Sequence, residues 1–228
     1  MAIKPILFNT DMVRAIMDGR KTCTRRLVKT RRKDACGFYV TKRTDGSFTG
    51  IYEYDEDERM FENQLIPPYK PGDILYVRET WHRYTKRVGK GEGCHLEEHY
   101  GYKASIANFE DAEEPWRPSI HMPKEAARIW LKVTDVRVER LQEMKPVDVI
   151  KEGAYPDCWD CLDTYEESGS QCCYGTEEQC SQCDGVMMEW EKLWNSTIKK
   201  TDIDRYGWDA NPWAWVIEFE RCEKPKEV

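Results

Sequence analysis

The sequence predicts an α+β fold: a mostly antiparallel β-barrel with short flanking helices and a cysteine-rich insertion. Three observations carry this. Runs in which apolar and polar residues alternate lie at 74–81, 128–141 and 213–220, the pattern of half-buried strands. Only short helical patterns separate them, without the strand–helix–strand rhythm of a doubly wound sheet. Six of the ten cysteines crowd between Cys158 and Cys183, in an acidic stretch with almost no apolar core of its own. A length of 228 residues suits one domain, 1–228, carrying insertions at about 36–66 and 85–123 and a third at 155–185.

Taken in order, residues 3–8 read as a short strand. Thr10 is expected to cap a short helix whose apolar face holds Met12, Val13, Ile16 and Met17, with Gly19 ending it. Residues 36–66, rich in Gly, Asp, Glu and Tyr, read as an irregular hairpin-like insertion. Pro71-Gly72-Asp73 is a turn signal leading into a core strand from Ile74 to Trp81. The polar, Gly-rich residues 85–99 read as a mobile loop, Tyr100 to Ala104 as a short strand, and 115–123 as irregular. The strand at 128–141 alternates through Ile129, Leu131 and Val133, and a bulge is needed to bring Val136 and Val138 to the same face. Lys145 to Gly153 reads as a short helix with Pro146 in its first turn and Val147, Ile150 and Ala154 toward the core. A second helix spans 186–195 on the spacing of Met187, Trp190, Leu193 and Trp194, and a last strand runs from Trp213 to Glu220.

Composition sets bounds on function. Hydrophobic residues make up 40% of the chain, and 9 Trp, 12 Tyr and 6 Phe supply bulk for a core, unlike a disordered chain. No stretch approaches the roughly 20 apolar residues of a membrane span, and the N-terminus has no secretory pattern. A soluble, cytoplasmic protein with no membrane partner is expected. Net charge is −7, yet Arg20 to Lys33 holds eight basic residues and no acid, whereas Asp157 to Asp184 holds eight acids and no Lys or Arg. An acidic body repels nucleic acid in general, and a local basic stripe still grips phosphates.

The cysteine insert points to metal. Cys158-x2-Cys161 and Cys180-x2-Cys183 are separated by 18 residues, a spacing that places four thiolates around one tetrahedral zinc ion. Cys172 and Cys173 lie between the pairs as alternates for one ligand. Four protein ligands leave no open position, so such a zinc would be structural and would fold the insert.

The basic segment Gly19-Arg20-Lys21-Thr22-Cys23-Thr24-Arg25-Arg26 sets two hydroxyls and several cations just after a helix end, a cluster suited to a phosphate, a carbonyl oxygen or a base edge. Trp208 and Asn211, in the loop before the last strand, are candidates for stacking on and reading a base. Trp81, Trp130, Trp190, Trp194, Trp213 and Trp215 are expected in the core.

Asp18-Gly-Arg-Lys-Thr-x-Thr-Arg-Arg26, Pro71-Gly-Asp-Ile-Leu-Tyr-Val-Arg-Glu-Thr-Trp81, Ile150-Lys-Glu-Gly153 and Trp215-Val-Ile-Glu-Phe219 occur in the order found in the ASCH domain family, which this chain resembles over most of its length outside the insertions. Larger members with this N-terminus resemble bacteriophage proteins, which implies a host-cytoplasm location. The resemblance implies a PUA-like fold and a cleft for RNA or a modified nucleoside. Some small members deacetylate N4-acetylcytidine. Carried over by motif, that implies Thr24 as nucleophile, Lys21 tuning or deprotonating its hydroxyl and Glu152 shuttling protons, while the basic cluster itself makes Arg20, Thr22, Arg25 and Arg26 candidates for binding ligand. Amide hydrolysis, ribonuclease action and a phage structural role built on the acidic zinc knuckle are the rival expectations.

The insert generates its own test. Purified chain should carry about one zinc per molecule by metal analysis, and Cys180→Ser should release it; metal-free protein purified without chelator would rule the site out.

Overall fold

The computed structural model describes residues 1–32, 34–46, 48–90, 94–106, 115–153 and 181–226. In chain order these form β1 (Ile3–Leu7), α1 (Thr10–Met17), β2 (Cys23–Leu27), β3 (Gly37–Lys42), β4 (Phe48–Tyr54), β5 (Met60–Gln64), β6 (Ile74–Arg78), β7 (Trp81–Val88), β8 (His95–Tyr102), β9 (Trp130–Arg140), α2 (Pro146–Lys151), α3 (Ser181–Thr197) and β10 (Trp213–Cys222). The fold is α+β and rich in strands. Among the described residues no helix is long and apolar enough to cross a membrane.

The central sheet has the order β1-β6-β9-β10-β2, with β1 parallel to β6 and the other pairs antiparallel. The expected bulge is present: Glu218 pairs with Asp135 and Phe219 with Val133, so Thr134 has no partner in β10. That extra residue restores Val138 to the face that carries Leu131 and Val133, and all three are buried with Ile6, Val13, Leu75, Val77, Trp215 and Ile217 in the main core. A second cluster sets Trp190 and Trp194 of α3 against Leu141, Val149 and Ala214, and a third gathers Trp81, Trp130 and Met122.

The expected closed barrel does not form among the described residues; β1 and β2 remain edges. The physical reason lies in which groups face outward. Phe8 N donates to Arg78 O and Ile74 N donates to Ala2 O, so the even-numbered residues of β1 face β6 and Ile3, Pro5 and Leu7 face the free edge. Pro5 has no N–H for a further ladder, and its carbonyl accepts from Tyr69 Oη at 2.8 Å. One side chain spans the gap instead: Arg26 Nη2 donates to Leu7 O at 3.1 Å.

Other expectations need correction. Asn9, not Thr10, caps α1, its Oδ1 accepting from Met12 N at 2.8 Å. Residues 36–66 are not irregular but form the antiparallel sheet β3-β4-β5. Most of the expected mobile loop at 85–99 belongs to β7 and β8, paired in register from Trp81↔Tyr102 to Val88↔His95. Tyr84 stacks across this ladder on its partner His99 at 5.7 Å, a cross-strand pair that stabilises a polar hairpin, and His82, two residues before Tyr84 on the same strand, lies tilted 5.4 Å from it. The core strand ends at Arg78, and α2 buries Val149 and is followed by the buried Glu152 at its C-cap, while Val147 and Ile150 stay half-exposed. Ala154 lies outside the described residues.

The break after β6 turns Glu79 inward. Its carboxylate is buried and takes two bonds of 2.9 Å from Nε and Nη2 of Arg128, whose Nη1 donates to Ser105 Oγ at 2.6 Å and whose guanidinium lies 4.0 Å from the Tyr102 ring centre. This fork ties the residues following β8 to the entrance of β9. Arg128→Ala should lower stability by about 3 kcal/mol in urea denaturation, because it strands a buried carboxylate; Arg128→Lys should recover only part of the loss, since lysine cannot make the two-pronged contact.

Candidate functional site

The site forms where three chain ends meet. Gly19, at φ +80°, ends α1 in the left-handed conformation that glycine adopts without strain. The chain then turns so that Lys21 N donates to Ala15 O at 3.0 Å and Thr22 N to Lys151 O at 2.9 Å, which seats the start of β2 against the last turn of α2. Gly153 follows α2 at φ +85°, and a β-carbon there would lie 2.6 Å from Ala15 Cβ and 2.9 Å from Lys21 Cβ. Glycine is therefore required at 153 by both conformation and space.

This packing closes over a buried charge cluster. Lys21, Arg25 and Glu152 are 3%, 5% and 2% exposed. Lys21 Nζ donates to Glu152 Oε2 at 2.9 Å, Glu152 O at 2.7 Å and Cys23 O at 2.8 Å. Three acceptors match the three protons of an ammonium, so every donor of Lys21 is committed. Arg25 Nη1 reaches Glu152 Oε1 at 3.3 Å, and its Nη2 reaches Glu139 Oε2 at 3.3 Å and Asp148 Oδ2 at 3.8 Å. Glu139 passes the chain of charge to Arg137, which also donates to Glu218 Oε1 at 2.6 Å. Burial, and next the negative charge of Glu152, push the Cys23 thiol up to about 12. A thiol held neutral in this way is no nucleophile.

Beside the cluster a cleft of about 420 Å³ runs along β2. Thr24, Arg25, Arg26 and Glu152 line it on one side. Opposite stand Trp190, Trp194 and Tyr206, and Lys29 and Lys199 stand on its rim as exposed cations. Thr24 makes no side-chain hydrogen bond among the described residues, although it is 1% exposed. Arg26 is half-buried, 5.6 Å from the Phe8 ring centre.

The structure thus brings Lys21, Thr24, Arg25, Arg26 and Glu152 together, and it separates their roles. Thr24 and Glu152 border the cleft, whereas Lys21 lies behind Glu152 with its side chain 0% exposed. Arg25 is an internal clamp on carboxylates, so the basic stripe is not one exposed ribbon. Arg20 donates to Gly153 O at 3.1 Å and to Asp18, and it borders a smaller cleft of about 350 Å³ that shares Glu152. Thr22 is exposed. Trp208 packs on the Trp190–Trp194 cluster, and Asn211 Oδ1 accepts from Gln142 N at 2.9 Å, so both side chains serve the fold. Trp116 packs 4.7 Å from His82. Of the thiolate set, Cys158, Cys161, Cys172, Cys173 and Cys180 lie outside the described residues, and Cys183 falls in the first turn of α3. Among the described residues no three His, Cys, Asp or Glu side chains are grouped to hold a metal ion.

Sequence reasoning assigned Trp190 and Trp194 to the core alone. The same apolar helix face both packs on Leu141 and Val149 and forms the cleft wall, and spacing cannot divide those tasks. Lys199 and Tyr206 carried no signal; they arrive through the turn after α3. Comparison with family models, curated proteins and solved structures returns no match for this chain.

Two outcomes test this geometry. Gly153→Ala should destabilise the protein by about 2 kcal/mol in chemical denaturation, through the left-handed φ and the contact with Ala15 and Lys21. The Cys23 thiol, whose ordinary value is 9.0, is raised to about 12 on folding, so its contribution to stability is complete below pH 9 and is lost as pH rises toward 12. Tyr102, raised by burial from 10.0 to about 12, acts in the same direction. Stability measured in urea should fall from pH 9 to 12, and Cys23→Ala should flatten the part of that fall that begins near pH 9.

Proposed function

We propose that this chain is an ASCH-type protein of PUA-like architecture that binds a nucleoside, free or within single-stranded RNA, in the cleft along β2. The observation that carries this reading is the composition of that cleft. An aromatic wall of Trp190, Trp194 and Tyr206 suits the face of a base, Arg26, Lys29 and Lys199 suit phosphate, and Thr24 with Glu152 offers polar contacts at one side. The order of motifs from Gly19 to Phe219 supports the family assignment, as does the strand-rich sheet whose edges approach each other at Arg26 and Leu7. Zinc held by the cysteine insert belongs to the same proposal, as a folding element remote in kind from this chemistry.

Hydrolysis of an N4-acyl group is the second reading, favoured by the unengaged Thr24 hydroxyl. In it Thr24 Oγ adds to the acyl carbonyl, Glu152 receives the hydroxyl proton and passes it to the departing amine, and water then releases the acyl group from Thr24. Lys21, with its three donors occupied, holds and orients Glu152 and does not act as a base. That commitment weighs toward binding as the primary function.

Fluorescence titration with single-stranded RNA should quench tryptophan emission. Affinity should fall with salt, and Arg26→Ala combined with Lys29→Ala should reduce the logarithmic salt slope by about 1.4, at about 0.7 per phosphate contact. Incubation with N4-acetylcytidine separates the readings. Release of acetate that Thr24→Val abolishes establishes the hydrolase, binding without acetate release establishes the reader, and no binding at low salt defeats both.

A further inference from the structure

The register of β2 carries information that its side chains do not. Val28 N donates to Trp213 O and Phe219 N donates to Thr22 O. In an antiparallel ladder the paired positions alternate, so Thr22, Thr24, Arg26 and Val28 direct their peptide groups toward β10. Cys23, Arg25 and Leu27 direct theirs away from it, to the open edge of the sheet. At Cys23 the outward carbonyl is taken by Lys21 Nζ at 2.8 Å. Past the strand, Arg31 N and Arg32 N both donate to Glu53 Oε1. Between these stops the outward N–H and C=O of Arg25 and of Leu27 have no partner among the described residues. Both residues line the cleft.

An exposed strand edge ordinarily invites another strand. This one is too short. Two residues of open edge span about 7 Å, and the Lys21–Cys23 bond blocks its lower end, so a peptide could add at most a pair of ladder bonds. The same length matches one planar heterocycle, and a residue's outward N–H beside its own C=O is complementary to a ring edge that sets an acceptor beside a donor. The aromatic residues of α3 supply the stacking surface and Lys29 and Lys199 the charge for an attached phosphate.

We infer that the open peptide groups of Arg25 and Leu27 read the hydrogen-bonding edge of a pyrimidine base held in this cleft, so that base selectivity resides in the backbone of β2. The inference rests on the nucleoside-binding reading and specifies its ligand. It is compatible with the inward turn of the Arg25 guanidinium onto Glu152 and Glu139, which commits that side chain to carboxylates while the residue still lines the cleft. It also separates discrimination by the edge from affinity supplied by the cations and rings.

The test uses the whole chain, labelled with nitrogen-15, and short single strands of uridine or cytidine, each compared with a counterpart methylated at ring N3. The amide protons of Arg25 and Leu27 should move downfield with the unmodified strands, and methylation should weaken binding by about tenfold or more, the cost of leaving buried polar groups unpaired. Leu27→Pro removes the outward N–H without breaking a ladder bond, because that group faces away from β10. It should bind at least about tenfold more weakly than Leu27→Ala, which loses the side chain but keeps the N–H. Binding that shifts the α3 tryptophans while leaving the two amides unmoved, and that tolerates N3-methylation, overturns the backbone reading and leaves nucleoside binding intact. No binding of any strand at low salt overturns the nucleoside reading itself. If Leu27→Pro fails to fold, the amide shifts and the methylated strands decide alone.

Discussion

The ammonium of Lys21, surrounded by Glu152 Oε2, Glu152 O and Cys23 O, is the contact on which the site depends. It joins the start of β2 to the end of α2, segments 131 residues apart in sequence. Burying such a pair gains little net stability against an apolar replacement, because desolvation of the two charges offsets most of their attraction. What it supplies is placement. The carboxylate is held at the cleft, the helix end is held against the strand, and a shift of either partner would leave a charge without water or counter-ion. Arg25 adds a second clamp on the same carboxylate and extends it to Glu139 and Asp148.

From that fixed point the architecture of the cleft follows. The central sheet stops short of closure because Pro5 cannot donate and Arg26 fills the gap with a side chain. An open sheet retains its edges, and β2 is the edge on the side of α3. In most proteins a free edge is a hazard to be covered. Here Lys21 blocks one end and the chain near Glu53 occupies the other, so the exposed portion is confined to the length of one ring.

Much of the scaffold was legible in the residues. Alternation located β6, β9 and β10, and the out-of-phase step after Val133 required the bulge at Thr134. The hairpin β7–β8 was hidden because its ladder is built from Tyr, His, Glu and Lys, which give no apolar period. The cap of α1 fell one residue early, as Asn9 and Thr10 are both competent caps and only the path of the chain selects between them. At the site, a basic turn rich in hydroxyls was visible, but its cations read as a single exposed stripe.

The sequence by itself determined the periods, the turns at Gly19 and Pro71-Gly72, and the chemical types gathered at residues 18–26, because these depend on neighbours within a few positions. Tertiary structure decided which of those cations face inward. Lys21 and Arg25 turn to carboxylates on α2 and β9, whereas Lys29 stays in solvent, and nothing local distinguishes one basic residue of that run from the next. It also decided that the face of α3 carrying Trp190 and Trp194 is shared between core and cleft. Burial, charge pairing and an open strand edge arise between segments more than a hundred residues apart, and a pattern read along the chain contains no term for that distance.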